Sequence, residues 1–157
     1  MADLEVTTTL PCGIERAYDL LTSVSTHERA MERYGETVVH APPDDTLVEG
    51  DRITRRTSHF GMSLTRTTAI VAATPPLSFR EEQVDGPFAS FSHVHEFERI
   101  DDDHTLVDDQ IDYELPWGPL GTLLDRVYVE GYLRRVVRER NRKLERLAGD
   151  SDIDPSP

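Results

Sequence analysis

The sequence predicts an α+β domain: a curved, seven-stranded antiparallel sheet around one long C-terminal helix, with two short helices after the first strand. Three observations carry this reading. Six segments between Glu36 and Tyr113 read as strands separated only by short turns, the pattern of consecutive antiparallel neighbours. From Pro119 to Leu147 the apolar residues fall at helical spacing, enough for a helix of about 28 residues. Between them, Pro116-Trp117-Gly118-Pro119 stops the last strand and starts the helix, because proline cannot donate to a ladder but fits a first helical turn.

Leu4, Val6, Thr8 and Leu10 alternate with Glu5, Thr7 and Thr9, giving a half-buried first strand that ends at Pro11-Cys12-Gly13. Ile14, Ala17, Tyr18, Leu20 and Leu21 follow helical spacing over residues 13–22. A second short helix is expected to start at Ser25, with Glu28 as its capping-box partner, and to close at Gly35. Residues 36–41 are short and β-branched, an edge strand. The Pro42-Pro43-Asp44-Asp45 turn follows. Residues 51–60 place Ile53, Arg55, Thr57 and His59 on one face, and residues 62–73 do the same with Leu64, Arg66, Thr68 and Ile70. Pro75-Pro76 ends that strand. Residues 77–84 align Phe79, Glu81 and Gln83. The next two strands align Phe91, His93, His95 and Phe97, then Val107, Asp109, Ile111 and Tyr113, with Asp101-Asp102-Asp103 as the hairpin tip. The arginines of the last helix, Arg134 to Arg146, interleave with Glu139 and Glu145 and read as a solvated face of i,i+4 pairs. The expected organisation is a single domain over residues 1–148 and a disordered acidic tail over residues 149–157.

Thirty Asp and Glu face 17 Lys and Arg, for a formal net charge of -13, and Lys143 is the only lysine. Such a surface repels nucleic acid and anionic membranes, so neither is an expected partner. An acid excess with almost no lysine also resembles proteins of a high-salt cytoplasm, where screening removes most self-repulsion. The lone Cys12 excludes an intrachain disulfide and a cysteine-rich metal site. No stretch approaches a membrane span, and no basic segment followed by an apolar run opens the chain, so a cytoplasmic protein, monomeric or weakly dimeric, is expected.

The segment Phe79-x-Glu81-Glu82-Gln83-x-x-Gly86-Pro87-Phe88 is followed by His93-x-His95-x-Phe97. Then come Asp108-x-x-x-Asp112-Tyr113-x-x-Pro116-Trp117-Gly118-x-x-Gly121. Together with the element order, these motifs resemble the START-like, or SRPBCC, superfamily, and within it the uncharacterised ligand-binding proteins. The resemblance implies the helix-grip fold and a cavity between sheet and helix. Its relatives include polyketide cyclases, lipid carriers and stress or hormone binders. Arg66 departs from the pattern, standing where an aromatic residue is expected. A buried arginine there needs an anionic ligand or a pocket carboxylate.

The expected function is binding of a small hydrophobic or amphipathic molecule. Phe79, Phe91, Phe97, Ile111, Leu124 and Val127 supply burial. His93, His95, Asp109 and Tyr113 fix orientation, and Arg66, Glu81, Trp117 and Tyr128 complete the wall. The alternative is a cyclase or dehydratase in which His93 or His95 removes a proton and Tyr113 donates to the developing enolate oxygen. A weaker alternative is a protein-interaction module, marked by a collapsed cavity and an apolar patch outside. His93 and His95, two apart on a strand, can hold a metal only with a carboxylate or third histidine beside them. Neither a metal nor a cofactor is expected. No phosphate-binding loop, dinucleotide fingerprint, G-x-S-x-G or H-E-x-x-H occurs.

Overall fold

The computed structural model describes residues 2–150. Seven strands form one antiparallel sheet: β1 (Ala2–Leu10), β2 (Thr37–His40), β3 (Arg52–His59), β4 (Met62–Thr74), β5 (Ser78–Asp85), β6 (Ser90–Asp101) and β7 (His104–Glu114). Their order is β1-β7-β6-β5-β4-β3-β2, so β2 to β7 are a meander and β1 closes the far edge against β7. Register shifts at Val38/His40, Thr67/Thr68, Ile70/Ala72 and Arg99/Asp101 bend the strands, which is how a long sheet curls around a helix.

After β1 come α1 (Ile14–Thr22) and α2 (Val24–Ala30), then a 3-10 turn at Glu32–Tyr34. Ser23, not Ser25, caps α2: its Oγ accepts from the Thr26 amide at 3.2 Å. The Ser25–Glu28 capping box does not form, since Glu28 instead accepts from the Val38 amide at 3.3 Å and ties α2 to the edge strand. The C-terminal helix runs as α3 (Gly118–Leu124), a π turn (Asp125–Val129) and α4 (Glu130–Gly149). Gly121 lets α3 leave the strand closely, because a Cβ there would stand 2.2 Å from the Pro116 carbonyl oxygen.

The alternation expected on the central strands is realised. Phe79, Phe91, Phe97, Val107 and Ile111 are buried on the concave face. They divide between two apolar clusters. One joins Phe79, Phe97 and Val107 to Tyr18, Leu20 and Leu21 of α1 and to Leu144 of α4. The other joins Phe91, Ile111 and Tyr113 to Leu4, Val6 and Val137. The expected tail lies, beyond residue 150, outside the described residues.

Candidate functional site

His93 and His95 of β6 sit between Glu81 of β5 and Asp109 of β7, all four buried. Sheet register enforces this: His93 pairs with Glu81 and His95 with Asp109, and side chains two apart on a strand share a face. His93 Nε2 lies 2.7 Å from Asp109 Oδ1, and His95 Nε2 lies 3.1 Å from Glu81 Oε1. His95 Nδ1 is 3.0 Å from Asp109 Oδ1 but off the direction of a hydrogen bond. The two rings stack at 3.8 Å, and His95 stacks on Phe79 at 4.1 Å.

The helix supplies the other half. Arg140 Nη2 donates to Asp109 Oδ1 at 2.8 Å, and Asn141 Nδ2 donates to Asp109 Oδ2 and to Thr8 Oγ1, each at 2.9 Å. Asp109 is thereby 0% exposed yet fully partnered. A second carboxylate, Glu36, takes His27 Nδ1 at 2.8 Å. Thr68 Oγ1 donates to Glu81 Oε2 at 3.4 Å.

Burial opposes every charge here, and the neighbours decide the outcome. For Asp109, burial raises the pKa, but Arg140 and the two histidines outweigh it and hold the carboxyl well below the ordinary range. Glu81 is likewise held well below its usual value, against burial, by His95, Arg55 and His93. His93 is pushed down to about 4 by burial and by the adjacent His95. His95 goes up, because Asp109 and Glu81 together overcome its burial. The stacked imidazoles are thus shifted in opposite directions, His95 toward its cation and His93 toward its neutral form.

Arg55 is incompletely partnered. It is 8% exposed, yet its Nε has no hydrogen-bond partner among the described residues. The nearest carboxylate oxygens are Glu36 Oε2, 3.8 Å from Nε, and Glu81 Oε2, 4.0 Å from Nη1. Arg55 borders a cavity of about 10 Å³ with Leu20, Leu47, Phe79, Leu144, His27, Glu81, His95 and Arg140 among its walls. That volume holds about one water molecule.

Several expected wall residues stand elsewhere. Trp117 is 66% exposed, Val127 58% and Tyr128 66%, so none faces the cluster. Trp117 occupies a left-handed turn (φ 76) at the start of α3, and the wider π turn rotates Val127 and Tyr128 off the face that 3.6-residue spacing assigns them. Leu124 is half-buried. Tyr113 is buried, but its hydroxyl donates to Asp125 of the π turn, not to a group beside Asp109, and burial with that bond pushes its pKa up. Arg66 is half-buried, its guanidinium carbon 4.3 Å above the Phe91 ring, so an aromatic face is its partner. Gln83 uses its amide on the Phe88 backbone, at 2.8 and 3.3 Å. His59 leaves the histidine pair altogether and bonds the Tyr132 hydroxyl at 2.7 Å.

Arg55, Arg140, Asn141, Glu36 and His27 are the site residues that sequence reasoning missed. Their signal was present for the helix: Val136, Val137, Arg140, Asn141 and Leu144 occupy one stripe at helical spacing, so Arg140 lies on the core face and not on the solvated arginine face.

Among the described residues, no helix is long and apolar enough to cross a membrane. The family model for polyketide cyclase / dehydrase and lipid transport matches residues 10–144. The curated proteins include no sequence match. Solved structures share the fold at low identity. The protein TTHA0849 from Thermus thermophilus is 19% identical with a TM-score of 0.77, covering 96% of this chain and 100% of that one. The Zhui aromatase/cyclase from Streptomyces sp. R1128 is 13% identical with a TM-score of 0.78, covering 99% and 98%. A START superfamily protein from Mycobacterium smegmatis is 12% identical with a TM-score of 0.71, covering 92% and 98%.

Proposed function

Because the chain belongs to the polyketide cyclase / dehydrase and lipid transport family and has the helix-grip fold, we propose that it binds a small amphipathic molecule between the sheet and the C-terminal helix. The observation that carries this is Arg55. A buried guanidinium N–H without a partner costs about 1–3 kcal/mol, and a ligand oxygen removes that cost. The same cavity is walled by Leu20, Leu47, Phe79 and Leu144, which suit the apolar part of such a molecule. The site holds one water-sized group as it stands, a collapsed cavity of the kind expected of an interaction module, so binding a larger ligand requires the wall of α1, the Leu47 loop and α4 to part.

A second reading is an acid–base enzyme of the cyclase or dehydratase class. It is favoured by the row Glu81–His95–Asp109, in which one imidazole bonds Glu81 and lies 3.0 Å from Asp109, and by His93 beside it, whose pKa is pushed down to about 4. Its general base must reach substrate, which again requires the wall to open.

The test is mass spectrometry of the small molecules extracted from protein purified from its own cells in high salt. Wild type is compared with Arg55→Leu and with His93→Asn/His95→Asn. The binding reading expects a stoichiometric compound in wild type that is depleted in Arg55→Leu. A chemically altered compound that appears only with both histidines present favours the enzyme. No compound in any sample removes support from both and favours a partner protein on the exposed Leu120, Leu123 and Val127 face.

A further inference from the structure

The centre of the cluster has donor atoms that the ion pairs do not use fully. Glu81, His93 and His95 each offer one ligand atom, and the three atoms lie within 4.8 Å of one another. Glu81 Oε1 is 3.1 Å from His95 Nε2 and 4.0 Å from His93 Nδ1. Ligands bound tetrahedrally at about 2.0–2.1 Å stand about 3.3–3.4 Å apart, so the 4.0 Å separation closes by about 0.7 Å and the widest by no more than about 1.4 Å.

The far side is prepared in the way metal-binding imidazoles require. Asp109 Oδ1 lies 2.7 Å from His93 Nε2 and 3.0 Å from His95 Nδ1. Each ring therefore turns one nitrogen to Asp109 and the other toward Glu81. A carboxylate behind a ligating histidine fixes its tautomer and orientation; Asp109 is hydrogen-bonded so to His93, and its Oδ1 stands 3.0 Å from His95 Nδ1, near the place of that bond but off its direction. Asp109 is fixed in turn by Arg140 and Asn141, and Glu81 Oε2 by Thr68. With Nε2 of His93 donating to Asp109, its Nδ1 presents a lone pair to a carboxylate oxygen. Two acceptors facing each other repel, and a cation between them removes the repulsion.

We propose that Glu81, His93 and His95 form a site for a divalent first-row transition ion such as Zn²⁺, with its open position toward the small cavity. Two imidazoles and one carboxylate, with no thiolate, suit such an ion. The ion takes the place of the proton on His95 Nε2, which leaves to solvent, so the cluster gains one positive charge. Glu81 and His95 both border the cavity. A water or ligand oxygen on the ion there comes within the neighbourhood of Arg55, the guanidinium that has no hydrogen-bond partner at Nε. This inference runs against the sequence expectation of no metal. It does not depend on any organic ligand.

The experiment strips the full chain with a chelator and returns Zn²⁺ under calorimetry, in wild type, Glu81→Gln, His95→Asn, Asp109→Asn and the exposed-site control His104→Asn. The expected result is one Zn²⁺ per chain in wild type and in His104→Asn, lost in Glu81→Gln and His95→Asn. Affinity falls about 10–100-fold in Asp109→Asn, which touches the ion only through the histidines. X-ray absorption on Zn²⁺-loaded wild type is read alongside, so that a variant that fails to fold does not leave the question open. Two imidazoles and one carboxylate in the coordination shell are expected. No binding by wild type, binding undiminished by the Glu81 and His95 substitutions, or fewer than two imidazoles on the ion overturns the proposal.

Discussion

Asp109 joins the sheet to the helix through one side chain. It accepts from His93, Arg140 and Asn141 at full burial, so removing its charge leaves Arg140 buried without its counter-ion, donating only to Asn141 Oδ1. Asp109→Ala is expected to cost about 3–5 kcal/mol in urea unfolding, the range for breaking a buried ion pair. A loss under about 1 kcal/mol contradicts the network. The cluster also sets a pH profile, best read in metal-free buffer. His93, lowered to about 4 in the folded chain, loses its contribution as pH falls from the unfolded histidine value of about 6.5 toward 4. The slope is at most about 1.4 kcal/mol per pH unit. Glu81 and Asp109 have depressed folded pKa values. Their contribution is complete above the unfolded carboxylate value and is lost as pH falls through the folded one. His95 is raised, so its contribution is present below about 6.5 and is lost as pH rises through its folded value. Urea midpoints measured across this range should peak near neutrality and fall on both sides; a flat profile refutes the assignment. At this scale the sequence was half legible. Alternation placed His93, His95, Glu81 and Asp109 on one surface. It could not show that Arg140 faces inward, because an arginine-rich helix looks solvated until its apolar stripe is traced through Arg140 and Asn141.

The C-terminal helix is two devices joined by the π turn. Its second half, α4, packs Val136, Val137, Leu144 and Leu147 into the core, while α3 and the turn leave Leu120, Leu123, Val127 and Tyr128 exposed. Tyr113 holds the turn from the sheet through Asp125. Tyr113→Phe removes that bond. Hydrogen exchange should speed up by about an order of magnitude over residues 118–129 and stay unchanged over residues 136–148, since exchange reports local opening. Uniform acceleration along the helix contradicts a separate first segment. At α2, Ser23→Ala is expected to cost about 1 kcal/mol and Ser25→Ala clearly less, read as a difference in thermal midpoint, because Ser23 is the residue that accepts from the Thr26 amide. Strands and helix order were plain from periodicity. The cap and the π turn were not, since Ser23 and Ser25 are both adequate caps by composition, and no residue type marks a wider turn.

Across the whole molecule, a formal net charge of -13 sits on a fold whose buried carboxylates Glu36, Glu81 and Asp109 are each paired inside. The surface therefore repels itself while the interior is shielded from salt. Raising salt from about 0.1 to 1 M shortens the Debye length from about 10 to 3 Å. It should raise stability by about 1 kcal/mol, about 3 °C for a chain of this size. A melting temperature that falls with added NaCl contradicts this. The sequence also conveyed the family and the sheet's concave face, but not the state of the cavity. Alternation says which side chains point inward, whereas packing of Arg55, Arg140 and Glu81 against α1 decides how much space remains.

In the proposed binding mode a ligand oxygen meets Arg55 at the junction of sheet and helix. Native mass spectrometry of the protein purified from its own cells in high salt, beside Arg55→Leu handled identically, tests this most directly. The predicted result is a stoichiometric small-molecule adduct on wild type that is lost from folded Arg55→Leu. Bare wild-type protein, or an adduct retained in full by Arg55→Leu, contradicts it.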